Sequence, residues 1–275
     1  MTAIVAHGDV IAKVGTEIVW WVDNRMKKLR EQRHETMSLN PFLAPVLYDL
    51  HHAESFAELG TLLLAGHLMN GHSTGFGKLI DERLLPKVFG THKLTGTYRE
   101  DTPPLSASYF NEIDHVVTHL SAKPILLSMK TSRWTIQLTA AMELNNAFVK
   151  ILANHPDQFE QIIVGVSIGT IAGLSDKYDI LRGINRGKNH DVVDIQEHVR
   201  VLAGQNFWAW INGGEEATQD WIMEGILAGL EKANCREEGH LLLGSFAKAY
   251  NRLYEKFKRA DGTIDWHALL QSVNG

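Results

Sequence analysis

The chain has 275 residues, of which 44% are hydrophobic and 21% charged. That is the profile of an ordinary globular protein, long enough for one large domain or two closely packed ones. The formal net charge of −5 weighs against a uniformly basic nucleic-acid module. The lone Cys235 excludes an intramolecular disulfide and a CxxC metal site, which fits a reducing cytosol. No run approaches the ~20 apolar residues of a membrane span, and the N-terminal MTAIVAHGDVIAKVG has no basic start or small-residue cleavage site. A cytoplasmic protein without membrane contact is the expectation.

In chain order, residues 10–33 predict a helix with Val10, Val14, Ile18, Trp21, Val22 and Leu29 on one side. Pro41 and Pro45 break the next stretch into a linker. A helix over about 54–69 is expected to stop at Asn70-Gly71. The glycine-rich stretch Gly71–Gly77 reads as a turn into a third helix, about 76–85, closed by Pro86. After the Pro103-Pro104 loop come two strands, 111–117 and 125–130. A helix over roughly 133–153, capped by Thr131 or Ser132, would lay Leu138, Ala141, Met142, Asn145, Phe148, Val149 and Leu152 on the sheet. The apolar run 161–168 is a strand covered on both faces, so strand–helix–strand predicts a parallel crossover. Weaker strands are expected at 178–184 and 191–195, then helices at about 205–211, 215–232, 239–257 and 265–272.

The chemistry is densest in the paired strands. Period-2 alternation puts Glu112, Asp114 and Val116 on one face of the first, and Leu126, Ser128 and Lys130 on one face of the second. An acid and a lysine on neighbouring strands, aimed the same way, suit a metal-dependent phosphodiesterase. The carboxylate would hold a hard cation, and the ammonium would stabilise charge or help generate the attacking hydroxide. Histidines do not support zinc: His67 and His72 fall ~140° apart around a helix, and His51-His52 point opposite ways. Gly71, Gly75 and Gly77 lack the GK[ST] of a phosphate-binding loop.

The spacing Asp114-x13-Ser128-x-Lys130 resembles the PD-(D/E)xK nuclease signature, with serine where the second acid usually stands. The segments SLNPFLAPVLYDLHH (38–52), HLMNGHSTGFGKLIDERLLPKVFG (67–90), NEIDHVV (111–117), LLSMKTSRWTIQLTAAMELNNAF (126–148) and DKYDILRGINRGKNHDVVDI (176–195) extend it. Together they resemble the small family of type II restriction endonucleases that cut RGGNCCY-type interrupted palindromes, from about residue 15 to the C-terminus.

The resemblance implies an α/β fold: a PD-(D/E)xK restriction-endonuclease-like mixed sheet with flanking helices, plus a helical dimerisation region. Residues 71–203 would form the catalytic core with a DNA-reading loop, and 1–70 with 204–275 the mainly helical support. It implies a Mg²⁺-dependent, bacterial, cytoplasmic enzyme, acting as a homodimer on double-stranded DNA. A cognate DNA methyltransferase of the same restriction-modification system would be its functional, not physical, partner. Asp114 corresponds to the metal ligand and Lys130 to the catalytic lysine, with Ser128 between them. Glu82 ranks first as an added carboxylate for metal and catalysis, with Glu143 and Glu112 behind it.

DNA contact is assigned to two places. Arg133, Thr135 and Gln137 lie at the expected helix start, where N–H groups and hydroxyls suit phosphate. Arg182, Asn185, Arg186 and Lys188 lie in a glycine-bearing loop, where Arg and Lys pair with guanine and Asn with adenine. The bulky Trp20, Trp21, Trp208, Trp210 and Trp221 are candidates for the dimer interface. Two other readings stay open: a repair or recombination nuclease of the same fold, and a non-catalytic DNA-binding protein in which Ser128 marks a lost site.

Overall fold

The computed structural model describes residues 3–31, 39–131 and 136–274. Helices α1 (His7–Glu31), α2 (Ala44–Leu50) and α3 (Phe56–Leu79) lead into a wider π-helical segment, Ile80–Val88. Strand β1 (His92–Lys93), helix α4 (Gly96–Asp101), a 3-10 turn (Ser108–Glu112), β2 (His115–Val117) and β3 (Ile125–Lys130) follow. Next come α5 (Leu138–Asn154), β4 (Ile162–Val166), the short α6 (Lys177–Ile180) and β5 (Val199–Ala203). Helices α7 (Gln205–Ile211), α8 (Thr218–Ala233), α9 (Arg236–Tyr254) and α10 (Trp266–Asn274) close the chain. No helix among the described residues is long and apolar enough to cross a membrane.

The fold is mixed α/β and divides into two compact units: Met1–Ile18 with Phe76–Gly229, and Val19–Gly75 with Leu230–Gly275. The first unit holds one five-stranded sheet in the order β1-β2-β3-β4-β5. The β1–β2 and β2–β3 pairs are antiparallel, whereas β3–β4 and β4–β5 are parallel. The parallel β3–α5–β4 crossover agrees with the strand–helix–strand pattern of the sequence. Leu126, Val116, Ile162, Val164 and Val199 on one sheet face pack with Ala141, Leu144, Phe148 and Ile151 of α5. On the opposite face Gly165 admits the Phe207 ring so closely that a Cβ there would lie 2.4 Å from it. Both faces are covered, which is why β4 and the first half of β3 read as apolar runs.

The second unit packs helices around aromatic side chains. Phe56 stacks on Tyr254 at 5.5 Å, with Leu59, Phe257, Ile264 and Leu269 buried beside them. A smaller group joins Leu64, Phe246 and Tyr250. Burial and the neighbouring Tyr254 push the Tyr250 phenol far above its ordinary range.

Several expectations change. Residues 71–77 do not turn: α3 runs through them. Gly75 and Gly77 serve close packing instead, whereas Gly71 faces open space. A Cβ at Gly75 would lie 1.6 Å from the Arg25 guanidinium, and one at Gly77 2.5 Å from Thr131 Oγ1. Residues 178–184 and 191–195 are not strands: Tyr178, Ile180 and Leu181 are buried from a short helix and loop against α5. Strand β5, not expected, completes the sheet at 199–203. The strand expected over 111–117 begins only at His115, because 108–112 coil into the 3-10 turn. Helix α5 starts at Leu138, and the expected capping residue Ser132 lies outside the described residues. Trp208, expected at an intersubunit surface, is 6% exposed and donates its indole N–H to Ser167 O at 3.0 Å. Trp20 is exposed, and α8 leaves Met223 and Leu227 exposed one turn apart.

Candidate active site

The site grows from the C-terminal end of β3, the central strand. The β2–β3 register pairs His115 with Leu127 and therefore sets Asp114 opposite Ser128. Asp114 continues the ladder beyond the strand, with its N–H donating to Leu127 O and its carbonyl accepting from Leu94 N–H, both at 2.8 Å. Its carboxylate Oδ2 accepts the Met129 N–H at 2.7 Å, so the side chain replaces the backbone acceptor that β2 no longer supplies. Asp114 thus straddles Ser128, whose Oγ is fully buried and has no hydrogen-bond partner among the described residues. Lys130, two residues along β3, shares the Ser128 face and is half-buried at the strand end.

Three elements supply the other polar groups. Lys93 of β1 pairs across the ladder with His115, and its ammonium lies 2.5 Å from Asp81 Oδ2 and 3.5 Å from Asp114 Oδ1. His115, with no exposed surface, reaches Asp81 Oδ1 through Nε2 at 2.8 Å and Thr91 Oγ1 through Nδ1 at 2.9 Å. An ionised Asp81 can only accept, so Nε2 carries the proton. In the neutral ring Nδ1 then accepts from the Thr91 hydroxyl. Burial alone would raise the Asp81 carboxyl, but the hydrogen bonds from His115 and Lys93 and their charges outweigh it and hold Asp81 below the usual carboxylate range.

Arg99 of α4 donates to Phe110 O at 2.8 Å and Ile113 O at 2.5 Å. Burial lowers its guanidinium from the ordinary value, and the charge of Asp114 works the other way. The π-helical segment that carries Asp81 is itself anchored. Glu17, 6% exposed, accepts from Arg83 and lies 3.1 Å from Lys87.

Of the residues assigned from sequence, Ser128 and Lys130 share one face at the end of β3, and Asp114 lies in register opposite Ser128. The acid from the TGFGKLIDE segment that enters this network is Asp81, and Glu82 beside it is exposed. Glu143 is exposed on α5, whereas Ala141, Leu144, Asn145 and Phe148 form the buried side of that helix. Glu112 sits in the 3-10 turn rather than on the face of a strand with Asp114. Arg133 and Thr135 lie outside the described residues, and Gln137 is an exposed residue at the start of α5.

The 182–190 loop is more self-contained than its basic composition indicates. Asn185 donates to His190 O at 3.3 Å and accepts from His190 N–H at 3.0 Å, which closes the loop with its own amide. Arg182 lies 3.7 Å from Asp179 Oδ1, and Arg186 pairs with Asp179 Oδ2. Lys188 is exposed. Asp176 is held below the usual carboxylate range, first by the hydrogen bond from Lys177 and then by the charges of Lys188 and Arg186. The loop is tied to α5 by Asn145, fully buried, which donates to Leu181 O and Val193 O and accepts from Val193 N–H. Gly183 has φ +86°, and a Cβ there would lie 1.9 Å from Val193 O, so only glycine fits.

Asp81, Thr91, Lys93, Arg99 and His115 were not singled out from sequence, and Asn145 was placed on the buried face of its helix but given no polar role. A signal existed for His115, an ionisable residue inside the apolar VV strand. None existed for choosing Asp81 over Glu82, because the change from α- to π-helical turn alters the phase at which side chains face inward.

Among the described residues, no three His, Cys, Asp or Glu side chains are grouped to hold a metal. Asp81 and Asp114 do converge on one ammonium, and Mg²⁺ commonly takes only one or two carboxylates beside water and phosphate oxygens. This oxygen donor set fits Mg²⁺ and lacks the thiolates of a structural zinc site. No known protein-family model matches the chain, and no curated protein matches it either.

Proposed function

We propose that the protein is a Mg²⁺-dependent endonuclease of the PD-(D/E)xK type that cuts double-stranded DNA at a short pseudo-palindromic site, RGGNCCY-like, as a homodimer in a bacterial restriction-modification system. The observation that carries the reading is the register of β2 and β3. It sets Asp114 opposite Ser128, two residues before Lys130, the spacing of the signature motif with serine in place of its second acid. The mixed sheet, antiparallel on the β1–β3 side and parallel beyond it, and the segment resemblances support the same assignment.

Asp114, with Asp81, would hold the Mg²⁺ ion. Bound there, the ion would supply Lewis-acid stabilisation of the phosphoryl oxygens and a more acidic water. Lys130 would place an ammonium on the same face, to orient water and offset negative charge on the phosphate. Lys93 and Arg99 add positive charge around Asp114, which favours a polyanion despite the net charge of the chain. Gln137 and the exposed Arg186 and Lys188 would contact DNA, and the exposed Trp20, Met223 and Leu227 would contribute apolar area to the dimer.

One observation favours a second reading. Ser128 stands where an acid is expected, and among the described residues no third His, Cys, Asp or Glu joins Asp81 and Asp114. A protein that binds its site without cutting it would look the same there. A plasmid digest with and without Mg²⁺ separates the readings. Discrete fragments that disappear with EDTA are expected. A smear points to a repair-type nuclease, and intact plasmid with a positive gel shift to the non-catalytic binder.

A further inference from the structure

Lys93 stands between the two carboxylates rather than beside one of them. Its ammonium is 2.5 Å from Asp81 and 3.5 Å from Asp114, and its side chain is 24% exposed. Each carboxylate has a separate anchor that does not depend on Lys93. Asp81 is held by buried His115, itself held by Thr91, and Asp114 is held by the Met129 N–H. Next to Asp114, the buried Ser128 hydroxyl has no partner among the described residues, a costly condition in a strand interior unless something else engages it.

We infer that Lys93 is a built-in counter-ion of this site, and that a divalent cation enters by competing with the Lys93 ammonium for Asp81 and Asp114. The inference deepens the nuclease reading and rests on it. Two fixed carboxylates repel each other unless a cation lies between them, and the ammonium satisfies that need in the metal-free protein. A hard divalent ion seeks the same oxygens. The two cations repel at such short range, so they do not share the position. The lysine stem has four rotatable carbons, is partly exposed, and can swing outward, where its charge would meet an incoming phosphate. His115, Thr91 and the Met129 amide keep the acids in place while it moves.

The test is Mn²⁺ binding by isothermal titration calorimetry without DNA, on the wild type and on Lys93→Met, Lys93→Arg and Asp114→Asn. Lys93→Met should bind Mn²⁺ roughly tenfold more tightly, because the competing charge is gone. Lys93→Arg should stay near wild type, and Asp114→Asn should lose the binding. A Lys93→Met affinity equal to or weaker than wild type overturns the inference. If that variant does not fold, Lys93→Gln repeats the measurement. In the wild type, the lysine side-chain NMR signal of Lys93 should shift on saturation with Mg²⁺, and a signal that does not move also overturns it. A wild type that cuts DNA while Lys93→Met keeps unchanged Mn²⁺ affinity removes the counter-ion role alone. A wild type that neither cuts nor binds Mn²⁺ removes both readings.

Discussion

The Asp114 cluster and the 182–190 loop both belong to the sheet unit and both carry ionisable side chains, but they are built in opposite ways. Around Asp114, each polar group comes from a different element. Asp81 comes from the π-helical segment, Lys93 from β1, His115 from β2, and the Met129 amide from β3. In the loop, the polar side chains mostly satisfy the loop and its own neighbours: Asn185 binds His190, and Arg182 and Arg186 turn to Asp179. A cluster assembled from distant segments is preorganised but nearly invisible in the linear sequence. A loop rich in Arg and Asn is conspicuous there, yet much of its hydrogen-bonding capacity is already engaged. Counting basic residues therefore overstates the second region and understates the first.

Four measurements would break or sharpen that contrast. The largest effect is expected at Asp114. Asp114→Asn should lower Mg²⁺-dependent cleavage by at least ~10²–10³-fold, the scale of losing one preorganised electrostatic partner. Site-specific binding in a gel shift should persist. The amide oxygen can still accept the Met129 N–H, so circular dichroism should show an intact fold. Robust cleavage by this variant would show that the active site lies elsewhere.

Asn145→Ala should come next. It strips three hydrogen bonds from a fully buried position and leaves Val193 N–H and Leu181 O unpaired. A loss of about 2–4 kcal/mol in urea unfolding is expected, with weaker DNA binding because the loop loses its tie to α5. Unchanged stability would mean that the loop holds itself without α5, and the contrast between the regions would become sharper still.

A smaller effect is expected at Arg186. If its guanidinium leaves Asp179 to read guanine, Arg186→Ala should cost ~1–3 kcal/mol in specific binding. If it meets only phosphate, affinity should fall evenly across sequences and the salt slope should drop by about one. No change in either would confine Arg186 to the loop.

The smallest effect is expected at Glu82. Glu82→Gln, at an exposed position, should leave cleavage near normal, whereas Asp81→Asn, at a proposed metal ligand, should lower it on the scale of Asp114→Asn. The Asp81 carboxyl is lowered in the folded state. Its stabilisation is therefore complete above the ordinary carboxylate pKa of ~4 and is lost as pH falls through the lowered folded value. The stability gap between wild type and Asp81→Asn in urea should be flat above pH ~5 and close only below ~4. A gap that narrows instead between pH 6 and 8 would assign the linkage to another group.

Periodicity and apolar runs were enough to reveal β3, β4, the parallel crossover through α5, and the four C-terminal helices, because burial on a helix stripe or a covered sheet leaves a local pattern. Asp114 could be set opposite Ser128, and Lys130 on the Ser128 face, for the same reason, since two neighbouring strands keep a regular register. Only the tertiary structure decided the rest. The glycines at 71–77 read as a turn until Arg25 and Thr131 are seen packed against Gly75 and Gly77, where a side chain would have to displace them. Asp81 rather than Glu82 faces Lys93 and His115, because a π-turn shifts the inward phase after α3. Asn145 holds the basic loop from α5, a helix outside its own segment. These choices depend on contacts between residues far apart in the chain, and local sequence patterns carry no record of which partner a polar side chain will meet.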